Sequence, residues 1–393
     1  MDMNTNKINV LKPKYRTDEI LDSIKDCLNI GWTGMGYKTI EFEKAWKEYT
    51  GLPNAHFINS GTSGLHLALN LFKKKYGWED GDEVITTALT FISTNHSILY
   101  ENLTPIFADV DETLCLDPKS IEQRITDKTR AIMFVGVGGN AGKLNEVADI
   151  CKKYNLKLIL DAAHMAGTKI KKVYHGVAMA SEHVGQEADC TVFSFQAVKN
   201  LPTADSGMIC FKDSKDDEKV RRLSWLGINK DTYSRSNKGS YKWRYNVEDV
   251  GFKYHGNSVM ASIGLVQLQY LDADNNIRNE IVNKYKSLLK DVDIIHKSNY
   301  TETSSCHLFQ IKIPSHLRDD LINKLYDNNI YPGVHYIDNT IYDMYKYAYG
   351  TCPITHKLSE ELITLPIHLD MTLLDQIKII DIINKFIKDE KNK

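Results

Sequence analysis

No stretch of this 393-residue sequence approaches the roughly 18 consecutive apolar residues that a membrane helix needs. The opening residues, MDMNTNKINVLKPKYR, contain no apolar core of a secretory signal, so a leader peptide is not expected. The seven cysteines are odd in number and form no CxxC pair, which argues against a disulfide framework or a zinc site. Neither sign of charge dominates: 51 acidic against 49 basic residues leave a net charge of −2, too little to draw nucleic acid or an anionic membrane. These absences point to a cytoplasmic protein whose thiols are reduced and packed. What is present, 42% hydrophobic and 25% charged residues, is enough for a sizeable core and for two domains.

Short β-branched and aromatic runs alternate with helical patterns through the first two thirds of the chain. The runs are AHFI (55–58), DEVITT (82–87), PIFADV (105–110), AIMFVGV (131–137), KLILD (157–161), CTVFSF (190–195) and GMICF (207–211). Helices are expected from near Ser63, from near Ile92 and over 144–154. This alternation predicts an α/β fold with a mixed, mostly parallel sheet. The short step from CTVFSF to GMICF predicts one antiparallel pair. After Gly251 the pattern changes to a long helix, or two in succession, over 258–290. An expected βαβ element follows at 307–336, then a terminal helix over 372–390. The expected division is residues 1–255, an N-terminal segment with a large α/β domain, and residues 256–393, a linking helix with a small C-terminal domain.

In an open parallel sheet, ligands bind beyond the carboxyl ends of the strands. AHFI is followed by NSGTSG (59–64), whose hydroxyls and N–H groups at a helix start can cup a phosphate or merely cap the helix. KLIL is followed by DAAH (161–164). Asp161 there needs a partner for a carboxylate at a strand end, either the next helix start or a pyridine nitrogen, with His164 placed to donate to a phenolic oxygen. CTVFSF is followed by Lys199 in FSFQAVKN (193–200), with Ser194 five residues before it. A lysine at an apolar strand end can be desolvated and so made nucleophilic. Phe91, after the strand at 82–87, could stack on a flat ring. Phosphate cup, carboxylate and lysine at successive strand ends are the components of a pyridoxal-phosphate site.

The chain resembles the DegT/DnrJ/EryC1/StrS sugar aminotransferases. The resemblance runs nearly end to end through GWTGMG (31–36), SGTSGLHLAL (60–69), GDEVITTALTFISTNHSI (81–98), DAAHMAG (161–167), FSFQAVKN, VGFKYHGN (250–257), GVHY (333–336) and LPIH (365–368). It implies the fold type I architecture of pyridoxal-phosphate enzymes, the aspartate-aminotransferase-like fold. It also implies a homodimer with shared active sites, and pyridoxal 5'-phosphate with its pyridoxamine form as cofactor. By the same resemblance, Lys199 carries the cofactor covalently, Asp161 pairs with the pyridine nitrogen and His164 sits by the phenolic oxygen. Gly61, Thr62, Ser63 and Ser194 hold the phosphate, and Phe91 stacks on the ring. Lys253 or Asn257 would reach the neighbouring subunit's phosphate, and Trp32, His307, His335 and Tyr336 would line the sugar-nucleotide cleft.

The implied reaction moves the amino group of L-glutamate onto a keto group, at C4 rather than C3, of a nucleoside-diphosphate-linked deoxy sugar destined for a surface polysaccharide or glycan. Two alternatives stay open: another fold type I activity, or a non-catalytic cofactor-binding regulator. The chain departs from the family pattern in two places. Residues 203–207 read Thr-Ala-Asp-Ser-Gly where a Gly-Glu-Gly-Gly-like turn is common, and residues 136–142 read GVGGNAG where a His-x-Tyr-Gly loop is frequent. The glycine run superficially suggests a dinucleotide loop but lacks a third glycine at the required spacing.

Overall fold

The computed structural model describes residues 7–174, 177–229, 245–295 and 302–393. In chain order the strands are β1 (Ile8–Asn9), β2 (His56–Ile58), β3 (Glu83–Thr87), β4 (Thr104–Ala108), β5 (Thr129–Val135), β6 (Lys157–Asp161), β7 (Lys169–Tyr174), β8 (Val177–His183), β9 (Cys190–Ser194) and β10 (Gly207–Phe211). β11 (Asp293–Ile294), β12 (Glu302–Thr303), β13 (Phe309–Lys312), β14 (Ile330–Tyr331) and β15 (Leu362–Leu365) follow. A seven-stranded sheet has the order β2-β10-β9-β6-β5-β3-β4. Only β10 runs against the others, antiparallel to both β9 and β2, while the remaining pairings are parallel.

Both faces of this sheet are buried, which is why its strands read as continuous apolar runs rather than alternating ones. One face packs Phe57, Phe134 and Phe193 against Phe42 and Trp46 of the helix Tyr37–Thr50, and against Ala261 and Leu271 of the long helix Ser258–Leu288. The other packs Val84, Met133, Ile159 and Val192 against Leu65, Leu69 and Phe72 of the helix Gly61–Tyr76. That helix begins where the Ser60 hydroxyl accepts the Ser63 N–H at 3.1 Å and stops at Gly77, whose φ of 66° only glycine adopts without strain. Three lysines, 73 to 75, occupy its last turn, where the helix dipole favours positive charge.

A separate apolar cluster gathers Phe309, Ile311, Ile363 and Leu365 of the β11-β13-β15 sheet with Ile379 and Ile383 of the helix Leu373–Lys391. The helix Ser315–Tyr326 is flanked by strands, but they do not form the expected βαβ unit. β13 pairs antiparallel with β15, whereas β14 pairs in parallel with β1 from the opposite end of the chain. Ile8 accordingly packs in the C-terminal cluster, a placement that the division at residue 255 did not include. The range 258–290 forms one helix, Ser258–Leu288, rather than two. Among the described residues no helix is long and apolar enough to cross a membrane, and no group of three or more His, Cys, Asp or Glu side chains could hold a metal.

Candidate active site

The carboxyl ends of β2, β3, β5, β6 and β9 open onto one cavity of about 380 Å³. It brings together Gly61, Thr62, Phe91, Asp161, His164, Ser194, Lys199, His307, His335 and Tyr336. Trp32, Ser63, Lys253 and Asn257 lie outside it in a single chain. The Trp32 indole donates to the Met35 carbonyl at 2.8 Å, and the Ser63 hydroxyl donates to the Ser60 carbonyl at 2.8 Å. Asn257 caps the long helix by accepting from the Met260 N–H, and the Lys253 ammonium rests over the Trp225 ring at 3.4 Å.

At one end of the cavity the helix Gly61–Tyr76 presents its first turn. Its cap carries the Ser63 N–H, while those of Gly61 and Thr62 have no protein acceptor among the described residues. Helix-start N–H groups of this kind hold phosphate. Ser194 closes the cup: a Cβ added to Gly61 would stand 3.1 Å from the Ser194 Cβ, so any larger residue would push Ser194 aside by a few tenths of an ångström. Gly207 is more tightly constrained, because its Cβ would meet the backbone itself, the Phe193 carbonyl at 2.6 Å and the Gly61 nitrogen at 2.9 Å.

Asp161, 4% exposed, forms the floor. Its Oδ2 accepts from the Thr94 hydroxyl at 2.8 Å and its Oδ1 from the Ala163 N–H at 3.1 Å. Burial outweighs these bonds and the more distant charge of Lys199, and raises its pKa; among the described residues no cation is at ion-pair distance from it. A protonated pyridine nitrogen is the partner this carboxylate lacks. Lys199 lines the same cavity, and dense surroundings lower its ammonium pKa to about 8, against a smaller opposing pull from Asp161. It therefore holds an appreciable neutral fraction near physiological pH.

His164, His307 and Tyr336 form a row, with ring centroids 4.4 Å apart for the histidines and 6.0 Å for His164 and Tyr336. The Gly138 N–H donates to His164 Nδ1 at 3.1 Å, so the ring proton sits on Nε2, 3.1 Å from the Tyr336 hydroxyl. His307 has the other tautomer. The amide of Asn200 donates to Asn275 and to the Ser305 carbonyl, which leaves its oxygen to accept from His307 Nδ1 at 2.8 Å. Burial, with the charge of Lys199 acting in the same direction, pushes all three cavity histidines down, His335 to about 4. They face the cavity as neutral hydrogen-bonding groups. Phe91 stands at the mouth, 59% exposed, its ring 6.5 Å from that of Tyr336.

The sequence reading missed Thr94, Gly138 and Asn200, which act on Asp161, His164 and His307. Their signal is positional: each matters only through a contact made across the fold. The glycine run 136–142 is not a nucleotide cradle. Its N–H groups at 138, 139, 140 and 142 are bonded to His164 Nδ1, Gly136 O, Val137 O and Asn140 Oδ1. In the unusual turn 203–207, Ala204 adopts φ 85°, a conformation that disfavours side chains. Ala204→Gly is expected to raise stability by about 0.5–1 kcal/mol, the relief of left-handed strain less the greater entropy of glycine when unfolded. Denaturant midpoints of the two proteins check this, and a lower midpoint for the glycine form would refute it.

The cavity fits a phosphorylated pyridine aldehyde: two open N–H groups and a hydroxyl at one end, an unpaired carboxylate on the floor, a partly neutral amine beside them. Comparison with known proteins agrees. The model of the DegT/DnrJ/EryC1/StrS aminotransferase family matches residues 14–384. The spore coat polysaccharide biosynthesis protein SpsC of Bacillus subtilis is 31% identical over 386 residues, 94% of this chain and 95% of that one. A putative sugar aminotransferase, Spr1654 of Streptococcus pneumoniae, solved in its PMP form, superposes with a TM-score of 0.87 at 27% identity over 96% of this chain and 99% of that one. Helicobacter pylori PseC, an aminotransferase of pseudoaminic acid biosynthesis, gives 0.86 at 25% identity over 98% and 100%. The architecture is thus that of a fold type I aminotransferase with a mixed sheet and a smaller C-terminal domain, and the chain belongs to the DegT/DnrJ/EryC1/StrS aminotransferase family.

Proposed function

We propose that this aminotransferase moves the amino group of L-glutamate onto C4 of a nucleoside-diphosphate-linked deoxy keto sugar, in the cytoplasm, as a homodimer with shared sites. Its cofactor is pyridoxal 5'-phosphate, alternating with the pyridoxamine form; the Streptococcus pneumoniae relative has been solved in both PLP and PMP forms. The observation that carries the reading is the convergence of Lys199 and Asp161 on a cavity walled by the open helix start at Gly61 and Thr62. The roles of SpsC, Spr1654 and PseC support a sugar acceptor and a polysaccharide or glycan end product. The choice of L-glutamate and of C4 rests on the resemblance in sequence.

The bound cofactor supplies an electron sink for the pair left when the donor's α-carbon loses its proton. The residues do the rest. Gly61, Thr62 and Ser194 anchor the phosphate. Asp161 holds the proton on the pyridine nitrogen. The Lys199 amine takes the proton from the donor's α-carbon and returns one in the second half of the cycle. Neutral His164 offers its Nε2 proton beside the ring, and neutral His307 and His335 bind without adding charge. Asp161, Lys199 and Asp205 are the charged residues lining the cavity, so among the described residues no cation of the same chain flanks the phosphate cup apart from Lys199. This supports a contribution from a second subunit, through Lys253 or Asn257. We take the boundary between the large and small domains to be residues 255/256.

An absorbance spectrum of the protein with pyridoxal phosphate, taken before and after L-glutamate, tests the first half of the cycle. The long-wavelength band should give way to a shorter-wavelength one. A nucleotide-linked 4-keto sugar, but not its 3-keto isomer, should then restore the original band. A band that ignores L-glutamate, or is restored by the 3-keto sugar, overturns the corresponding part of the reading. Sedimentation of the same sample as a monomer would overturn the shared site.

A further inference from the structure

A second, smaller space opens behind the lysine loop, lined among others by Lys12, Lys14, Lys199, Arg278, His307 and His368. It holds about 10 Å³, room for one group the size of a water molecule. Lys199 and His307 line both spaces, so the smaller lies as an annex directly beside the larger.

Counting partners among the described residues, two of its side chains are buried with hydrogen-bonding capacity unused. Arg278 is 8% exposed and donates only a long bond, 3.4 Å, to Asn275 Oδ1. Among the described residues no carboxylate lies within ion-pair distance of it. Asp274, one helical turn earlier, gives both oxygens to Arg16 at 2.7 and 2.5 Å. His368 is 6% exposed, and neither ring nitrogen has a partner. Lys12 and Lys14 share Asp370, at 2.8 and 3.1 Å. Asp274, which also lines the space, and Asp370 are thus taken up by Arg16, Lys12 and Lys14, which leaves Arg278 without a carboxylate at ion-pair distance among the described residues. Burial lowers the pKa of Arg278 to about 10 and keeps His368 neutral. A guanidinium desolvated without a counter-ion is destabilising, and the planar fork of arginine suits a carboxylate.

We propose that the annex receives the distal carboxylate of the amino donor, held by the Arg278 fork and a ring N–H of His368. The size of the space admits one oxygen of a carboxylate and excludes a phosphate or a sugar. Because Lys199 lines both spaces, a donor whose amine reacts there has its side chain beside the annex. Arg278 and His368 are then specificity-determining residues: they favour a dicarboxylic donor over a neutral one of the same shape. The inference rests on the proposal that L-glutamate is the donor.

The test uses cofactor-loaded protein and glutarate, an unreactive five-carbon dicarboxylate, with its monoamide as the neutral control. Calorimetry should show wild type binding glutarate and not the monoamide. Arg278→Met should weaken glutarate at least about 30-fold, as expected for loss of a charge-assisted fork, with cofactor loading unchanged by absorbance. The same variant, free of glutarate, should melt no lower than wild type, because it removes an unpaired buried cation. An arginine with a purely structural role would lower the melting temperature instead. If Arg278→Met does not fold, Arg278→Lys, which keeps the charge and loses the fork, should still weaken glutarate about tenfold. Unchanged glutarate affinity in the variants, or no glutarate binding by wild type, overturns the proposal. Equal half-reaction rates with L-glutamate and L-glutamine in wild type overturn it too. A wild type converted by a different donor and not by L-glutamate overturns the donor assignment instead, which separates the two failures.

Discussion

Lys199→Ala should reduce transamination by at least about 10⁴-fold, the scale expected when a residue acting as both nucleophile and proton carrier is removed. Reduction with borohydride followed by peptide mass analysis should find the cofactor attached at residue 199 in wild type and nowhere in the variant. The cup at Gly61, Thr62 and Ser194 should still bind the phosphate without a covalent bond. Retention of more than a hundredth of wild-type turnover would remove Lys199 from its proposed role. The substitution also has a stability signature in cofactor-free protein, best read with Lys199→Met, which keeps the volume. The folded pKa of Lys199 is about 8 and its ordinary value is 10.5. Between those values the unfolded chain holds a proton that the folded chain does not, so wild-type stability rises with pH across that window. Below about pH 8 the full penalty applies, on the order of 3 kcal/mol. The methionine variant should be more stable than wild type at pH 7, and the difference should shrink towards pH 10.5. A difference independent of pH would mean that Lys199 is ordinarily solvated.

The elements that carry chemistry were legible because each obeys a local rule. KLILD and GMICF coincide with β6 and β10, and LNEVADICKKY coincides with the helix Leu144–Tyr154, since both sheet faces are buried and the helix is amphipathic. The direct link from β9 to β10 predicted their antiparallel pairing correctly. What escaped depends on distant partners. The β7–β8 hairpin begins KIKKVY, a lysine-rich alternation with no turn signal strong enough to set a register. β14 exists only because β1, more than 300 residues earlier, lies beside it. In the site, Lys199 and Asp161 stand at strand ends and could be found by position. Thr94 and Asn200 could not, because their value lies in an oxygen or amide turned towards another side chain. Ser63 illustrates the same limit within a motif. SGTSG suggests a cup from Gly61 to Ser63, yet helix geometry turns Ser63 back onto its own cap and places Ser60 beside the cavity in its stead.

Asp161→Asn should leave the fold intact and lower kcat/KM by about 10³-fold, the scale of losing one preorganised electrostatic contact in a buried site. The side chain that replaces the carboxylate has a place to bond. Its oxygen can keep the Ala163 N–H, and its amide can donate to the Thr94 hydroxyl, which in turn can donate to Thr90, 3.0 Å away. The loss is therefore one of charge rather than of shape. Burial raises the pKa of Asp161 in the cofactor-free protein, so the folded state holds its proton more tightly than the unfolded chain does. The carboxylate then costs stability above its ordinary pKa of 3.8, increasingly as pH rises towards the folded value. Asparagine removes that cost, so the cofactor-free variant should melt at or above the wild-type temperature at pH 7. With pyridoxal phosphate bound the order should reverse, because only the aspartate gains a cationic partner. Melting curves of both proteins with and without the cofactor measure this crossing, and turnover measures the rate. A variant that keeps a tenth of the wild-type rate, or whose melting temperature rises as much on cofactor binding as wild type does, would show that Asp161 does not hold the ring proton. A buried carboxylate that destabilises the empty site and stabilises the filled one explains why an acidic residue stands at the end of an otherwise apolar strand.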